Sequence, residues 1–305
     1  MKLAKTLTSV SVIALSALTL AACGSSSSSK KDSSSSKASS SKVVKKSSSS
    51  AKQVAGGALK DGTYKLDELG YSHGYKVQMS MTVANGKITK TAYDYVNKDG
   101  KSKTKDADYE KSMKKVTKTG PKEYIPELNS SFKQNGANTA AIDVVSGATE
   151  SSWTFKNYAA QLVQAAQAGN TATIQIHNTD KLKDGTYTLN EKNYSHGYRV
   201  TFSITVKDGK ITASNYDNVD KNGKSKTKDA DYEKSMKKVN KVGPVEYTKA
   251  LNEALVKKQT PAEVDVVSGA TSSSTAFISY AEQLINAAQA GNTKTITVDN
   301  IVYEE

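Results

Sequence analysis

The sequence predicts an α+β protein made of two tandem copies of one domain, each an antiparallel sheet with packed helices, behind a disordered tether. Three observations carry this expectation. A long segment recurs once, each copy passes from alternating strands into an amphipathic helix, and a Ser/Lys-rich run precedes both.

The recurrence is close. KDGTYKLDELGYSHGYKV (60–77) returns as KDGTYTLNEKNYSHGYRV (183–200), and DVVSGATESS (143–152) returns as DVVSGATSSS (265–274). His73 and His196 are 123 positions apart, whereas Thr149 and Thr271 are 122 apart, so one residue was lost between them. Two copies of this length are independent domains rather than a solenoid. The expected boundaries are residues 56–178 and 179–305.

Within each copy, Val77, Met79, Met81 and Val83 alternate with polar residues, as do Val200, Phe202, Ile204 and Val206. That is the period of a strand with one buried face. Asn85-Gly86 and Asp208-Gly209 then supply hairpin turns that need positive φ. DADYEKSMKKV reads as a short polar helix, and a second helix follows Gly120-Pro121 and Gly243-Pro244. The clearest helix comes next: Phe155, Tyr158, Leu162, Val163 and Ala166 share one face, as do Phe277, Tyr280, Leu284, Ile285 and Ala288. Gly169 and Gly291 end it, and a β-branched strand (171–176, 293–298) closes each copy.

Composition narrows the chemistry. The chain carries a formal charge of +13, with one cysteine, Cys23, and three histidines. No intramolecular disulfide, Cys-x-x-Cys metal site or covalent haem signature is possible, so redox chemistry here would need an organic cofactor. Seven lysines against the single Asp32 crowd residues 24–53, and the folded part is only mildly basic. Such a tail binds polyanions without specificity. The address described next makes these anionic envelope polymers and lipid headgroups rather than nucleic acid.

Residues 1–22 read as a signal peptide, with Lys2 and Lys5 ahead of a short apolar stretch. Leu20-Ala21-Ala22-Cys23 resembles the lipobox of bacterial lipoproteins, which implies a diacylglycerol-modified Cys23 on the extracellular face of the cell membrane. Residues 23–55 are expected to hold that lipidated cysteine and a Ser/Lys-rich linker too poor in apolar groups to fold. Its r.m.s. reach is about 30 Å.

The S-G-A-T segment precedes the long helix in both copies. Backbone N–H groups and the helix dipole make such an end a place for phosphate, and Gly147 and Gly269 allow a sharp turn and close approach. Thr149 and Thr271 put a hydroxyl beside that position. Capping of a helix by Ser and Thr explains the same residues, and the physics alone leaves both readings open.

These segments resemble the flavinylation motif of the FMN-binding domain family, and the likeness runs from about residue 58 to 300. The resemblance implies FMN bonded through a phosphoester to Thr149 and to Thr271, two groups per chain, attached by a flavin transferase that uses FAD. It also implies that Asp143, Ser146, Gly147 and Ala148 surround the first threonine, and Asp265, Ser268, Gly269 and Ala270 the second. With the lipobox and tether, the chain is similar to the pheromone-lipoprotein flavoproteins of Gram-positive extracellular electron transfer. That likeness implies a quinol-linked membrane complex as donor and extracellular acceptors such as ferric iron. It implies an electron carrier more than a stand-alone enzyme, since no dinucleotide fingerprint is present. A flavin-free binding or adhesive lipoprotein, and a pheromone cut from the signal segment, are the alternatives. Walls for the flavin ring are expected from Y-S-H-G-Y: Tyr71, His73 and Tyr75, with Tyr194, His196 and Tyr198. Tyr109, Met113, Tyr232 and Met236 are further candidates, while the lysines around them are expected on a solvated face.

Overall fold

The computed structural model describes residues 52–304; the signal segment, Cys23 and the tether up to residue 51 lie outside the described residues. The described residues fall in one compact unit.

Each repeat begins as a three-stranded meander. In the first it comprises β2 (Gly62–Glu68), β3 (Tyr75–Ala84) and β4 (Lys87–Asn97), after a short β1 (Gln53–Ala55). The alternating side chains of β3 point inward, with Val77, Met79, Met81 and Val83 at most 2% exposed. Asn85 (φ 53°) and Gly86 (φ 68°) make the tight turn expected of them. Then come α1 (Ala107–Thr117), α2 (Pro121–Asn135), α3 (Thr149–Ala168) and β5 (Ile174–Ile176). The second repeat has the same order: β6 (Gly185–Glu191), β7 (Arg199–Lys207), β8 (Lys210–Val219), α4 (Ala230–Asn240), α5 (Pro244–Lys258), α6 (Thr271–Ala290) and β9 (Ile296–Val298). A last strand, β10 (Val302–Tyr303), follows.

The sheets are antiparallel over three strands only. Their orders are β4-β3-β2-β5 and β8-β7-β6-β9, and the fourth strand runs parallel to β2 or β6. The cause is the long helix. Lys60 N–H donates to Ala166 O (3.0 Å), and Lys183 N–H to Ala288 O (3.1 Å), so each helix ends where the first strand of its sheet begins. A chain leaving that point extends alongside the strand in the same direction. The closing strand is also three residues shorter than its β-branched composition suggests.

One segment departs from the expected boundaries. Gln53–Ala55, assigned by composition to the tether, pairs antiparallel with β10 at the far end of the chain. Beyond the serine run, Val54 and Ala55 are compatible with a strand, and β10 offers them an edge.

The repeats pack through α3 and α6, which run antiparallel. Asn157 and Gln161 amides donate to Asn286 Oδ1 (3.0 and 3.1 Å), and Gln164 donates to Gln283 Oε1 (3.2 Å). Trp153 of α3 is buried within the hydrophobic cluster of the second repeat. On α6, burial pushes the half-buried Glu282 carboxyl up to about 7, and the Glu150 charge adds to the shift. A native pKa above the unfolded value means that the native state keeps this proton longer. Its stabilisation is full below about 4.5 and is lost as pH rises through about 7. After discounting for partial solvent screening, we expect Glu282→Gln to remove about 1–2 kcal/mol of that loss. Melting temperatures at pH 5 and pH 8 should therefore differ less in the variant than in wild type; an unchanged difference would show that Glu282 titrates normally.

Candidate functional site

The two S-G-A-T turns are built alike. Gly147 (φ 78°) and Gly269 (φ 81°) occupy the left-handed region. A Cβ there would stand 2.6 Å from Thr117 O and 2.3 Å from Asn240 O, so only glycine brings the turn this close to the end of the preceding polar helix. Ala148 and Ala270, each 4% exposed, are buried in their cores, which turns the flanking Ser146, Thr149, Ser268 and Thr271 to the surface. Asp143 and Asp265 are also exposed.

Thr149 and Thr271 are the first helical residues, and the N-caps are Ala148 and Ala270, which lack a capping side chain. Capping therefore does not explain these threonines. The first-turn N–H groups keep their capacity for an anion beside an exposed hydroxyl.

The turn is braced by residues that sequence reasoning passed over. Ser152 Oγ accepts from Val145 N–H (3.0 Å) and donates to Ala148 O (2.8 Å); Ser274 does the same for Val267 and Ala270 (both 3.0 Å). Both serines are fully buried. A Ser three positions beyond the threonine, on the core side of the helix, was the available signal. Nearby, Tyr95 Oη lies 3.3 Å from Ser151 Oγ, and Tyr93 Oη donates to Ser151 O (3.4 Å), joining β4 to the first turn of α3.

The Y-S-H-G-Y segments are tight turns closed by paired Ser72–Tyr75 and Ser195–Tyr198 hydrogen bonds, with His73 and His196 at the tips (φ 50° each). The tyrosines that follow serve the polar helix. Tyr75 Oη donates to Asp106 (2.6 Å) and Tyr198 Oη to Asp229 (2.5 Å), and those aspartates cap α1 and α4. These hydrogen bonds push both phenols up to about 12. Tyr71 and Tyr194 lie instead beside Lys76, Lys98 and Arg199.

The lysines of K-S-K-T-K do not all face water. Lys103 is 7% exposed, its ammonium 4.0, 4.7 and 5.2 Å from the ring centres of Tyr109, Tyr95 and Tyr75. Lys226 lies 3.9 Å from Tyr232 and 4.9 Å from Tyr198. Attraction to the aromatic faces offsets desolvation, and Tyr109 and Tyr232 are engaged in this contact. Met113 and Met236 pack against the two cores.

A second unforeseen pair holds a carboxyl behind each Y-S-H-G-Y turn. Glu68 accepts from Tyr158 Oη (2.6 Å) and Val77 N–H (2.7 Å), and Glu191 from Tyr280 Oη (2.6 Å) and Val200 N–H (2.8 Å). Burial raises both carboxyl pKa values, opposed by these hydrogen bonds. Beside the second pair a cleft of about 650 Å³ opens, lined by Thr271, His196, Glu191 and Tyr280. The structure thus brings Thr271 and His196 to one cleft; Tyr198 is not among its lining residues.

The FMN-binding domain family model matches residues 70–164 and 196–286, one segment in each repeat. This chain belongs to the FMN-binding domain family. It is 33% identical over 118 residues to the "15 kDa lipoprotein" of Treponema pallidum, covering 38% of this chain and 83% of that protein. Among solved structures it is similar to the CPE2226 protein of Clostridium perfringens, at 41% identity over 39% of this chain and 98% of that one, with a TM-score of 0.37. A Clostridium thermocellum protein solved by NMR matches at 23% identity, covering 35% and 93%, with a TM-score of 0.25.

The residues present fit FMN. Its phosphate suits an uncapped helix end approached through a glycine turn, and the cleft at Thr271 is within the ~300–1,000 Å³ of ordinary ligand sites. Among the described residues no His/Cys/Asp/Glu group could hold a metal, and no helix is long and apolar enough to cross a membrane.

Proposed function

We propose that this FMN-binding protein is lipid-anchored through Cys23 on the extracellular face of the membrane and carries two FMN groups, on Thr149 and Thr271. It passes electrons from a quinol-linked membrane donor to extracellular acceptors such as ferric iron. The observation that carries the attachment is that each threonine is exposed at the head of a helix whose N-cap makes no side-chain capping hydrogen bond. The name of the Treponema relative supports the lipid anchor.

Attachment uses FAD as donor and a flavin transferase as catalyst. The threonine oxygen displaces AMP at the FMN phosphorus, one P–O bond forming as the diphosphate bond breaks, and the hydroxyl proton leaves. In this chain, the glycine turn lets the phosphate approach, the first-turn N–H groups hold it, and Ser152 or Ser274 keeps the turn in shape. Bound FMN supplies electron exchange in one- or two-electron steps. The lysines of residues 24–53 favour anionic envelope polymers by salt-sensitive attraction.

Intact mass of the envelope-derived protein tests this reading. Thr149→Val and Thr271→Val should each remove one FMN increment, and the double variant both. Acid-stable flavin retained by the double variant would overturn the assignment; acylation reads out in the same spectrum.

A further inference from the structure

The two repeats differ where their long helices face each other. Four positions after the acceptor threonine, the first repeat has Trp153 and the second Thr275; eleven positions after it they have Ala160 and Glu282. α3 and α6 run antiparallel and meet where Asn157, Gln161 and Gln164 face Asn286 and Gln283. At one end of this contact, small residues leave space: Thr275 and Ala160 both line the cleft that contains Thr271. At the other end stand their bulky counterparts. Trp153 is 8% exposed within the second repeat's core cluster, and the Glu150 charge reaches Glu282. Trp153 occupies part of the corresponding space, and Glu282 lines a separate cavity of about 430 Å³ whose walls do not include Thr149.

The cleft belongs to both repeats. Thr271, Thr275 and His196 come from the second; Ala160, Val163 and Lys156 form the facing wall from the first. Ala160 and Val163 offer an apolar surface for a planar ring, and His196 a polar group at its edge. Lys156 is fixed by the carbonyls of Ala140 (3.0 Å) and Ile142. Ile278 takes its place in the second repeat, so the positive charge is also one-sided.

We propose that the flavin on Thr271 seats in this inter-repeat cleft, with the first repeat's α3 as its far wall, whereas the flavin on Thr149 lies against solvent. The proposal rests on the reading that both threonines are acceptors. The two groups are then inequivalent, one shielded inside the tandem and one presented outward, although their motifs are the same.

Iodide quenching of flavin fluorescence, at constant high ionic strength to screen local charge, tests it on full chains. Thr149→Val leaves only the Thr271 flavin, and Thr271→Val only the other. A site that covers most of the ligand surface should cut the quenching slope of the Thr271 flavin at least about threefold below that of the Thr149 flavin. Adding Thr275→Trp or Ala160→Glu to Thr149→Val imports a residue that the opposite repeat already carries, and should raise the slope toward that of the outward flavin. Each slope is divided by the flavin's fluorescence lifetime, and the resulting quenching rate constant is the quantity compared; it does not depend on how much flavin is attached. Equal slopes for the two single-acceptor chains, or a slope that neither added substitution changes, would overturn the cleft while leaving the acceptor reading standing. No FMN mass on the Thr149→Val chain would overturn the acceptor reading for Thr271, and the cleft with it.

Discussion

Gly147→Ala and Gly269→Ala should each abolish flavin loading of their own repeat and destabilise the chain by about 2–4 kcal/mol. Two costs combine. Each glycine has φ near +80°, where an L side chain is strained, and the added methyl would stand 2.6 Å from Thr117 O or 2.3 Å from Asn240 O. Those oxygens are backbone at the end of a helix, so they cannot swing aside as a side chain would. Relief requires the turn to move, and the exposed threonine moves with it. Mass spectrometry of the two variants should show one FMN increment each, and chemical denaturation the loss of stability. Gly74→Ala is the control: it also has positive φ (83°), but nothing lies within 4 Å of its Cβ position, so the strain stands without the clash. Equal losses at all three positions would show that backbone strain alone, and not the close approach, sets the requirement for glycine.

Much of this architecture is legible along the chain because it is local. The alternation from Val77 to Val83, the Asn85-Gly86 turn and the apolar face through Phe155, Leu162 and Ala166 are each decided within about ten residues, and each appears as read. The positive φ of Gly147 and Gly269 is a local feature of the turn, whereas their close approach to Thr117 and Asn240 depends on a distant helix. What was not legible depends on distant partners. The parallel direction of β5 follows from where α3 ends on the sheet, and the β1–β10 pair joins opposite ends of the described chain. Lys103 looks like any surface lysine until Tyr75, Tyr95 and Tyr109, from three elements, close around it. Trp153 stands on a helix of the first repeat, yet it is buried in the core of the second. Sequence likeness also hid the asymmetry: near-identical motifs suggest equivalent sites, and the difference lies in helix positions that the motifs do not contain.

Cells lacking this protein should reduce extracellular ferric complexes, or feed an electrode, more slowly than wild type, and the Thr149→Val/Thr271→Val chain should not restore the rate. On the proposed reading, covalent attachment would keep the cofactor on a carrier outside the cell, where a dissociated one diffuses away. The match to the FMN-binding domain family makes flavin the group whose removal tests this reading. If flavin carries the current, each single variant should retain part of the rate and the double variant should fall to that of the deletion strain. If the outward flavin on Thr149 meets the final acceptor, Thr149→Val should lose more than Thr271→Val. Full restoration by the double variant would end the carrier reading even with both FMN increments present in wild-type protein. Valine replaces only the hydroxyl at exposed helix starts, so the folded structure is retained and the comparison isolates the flavins.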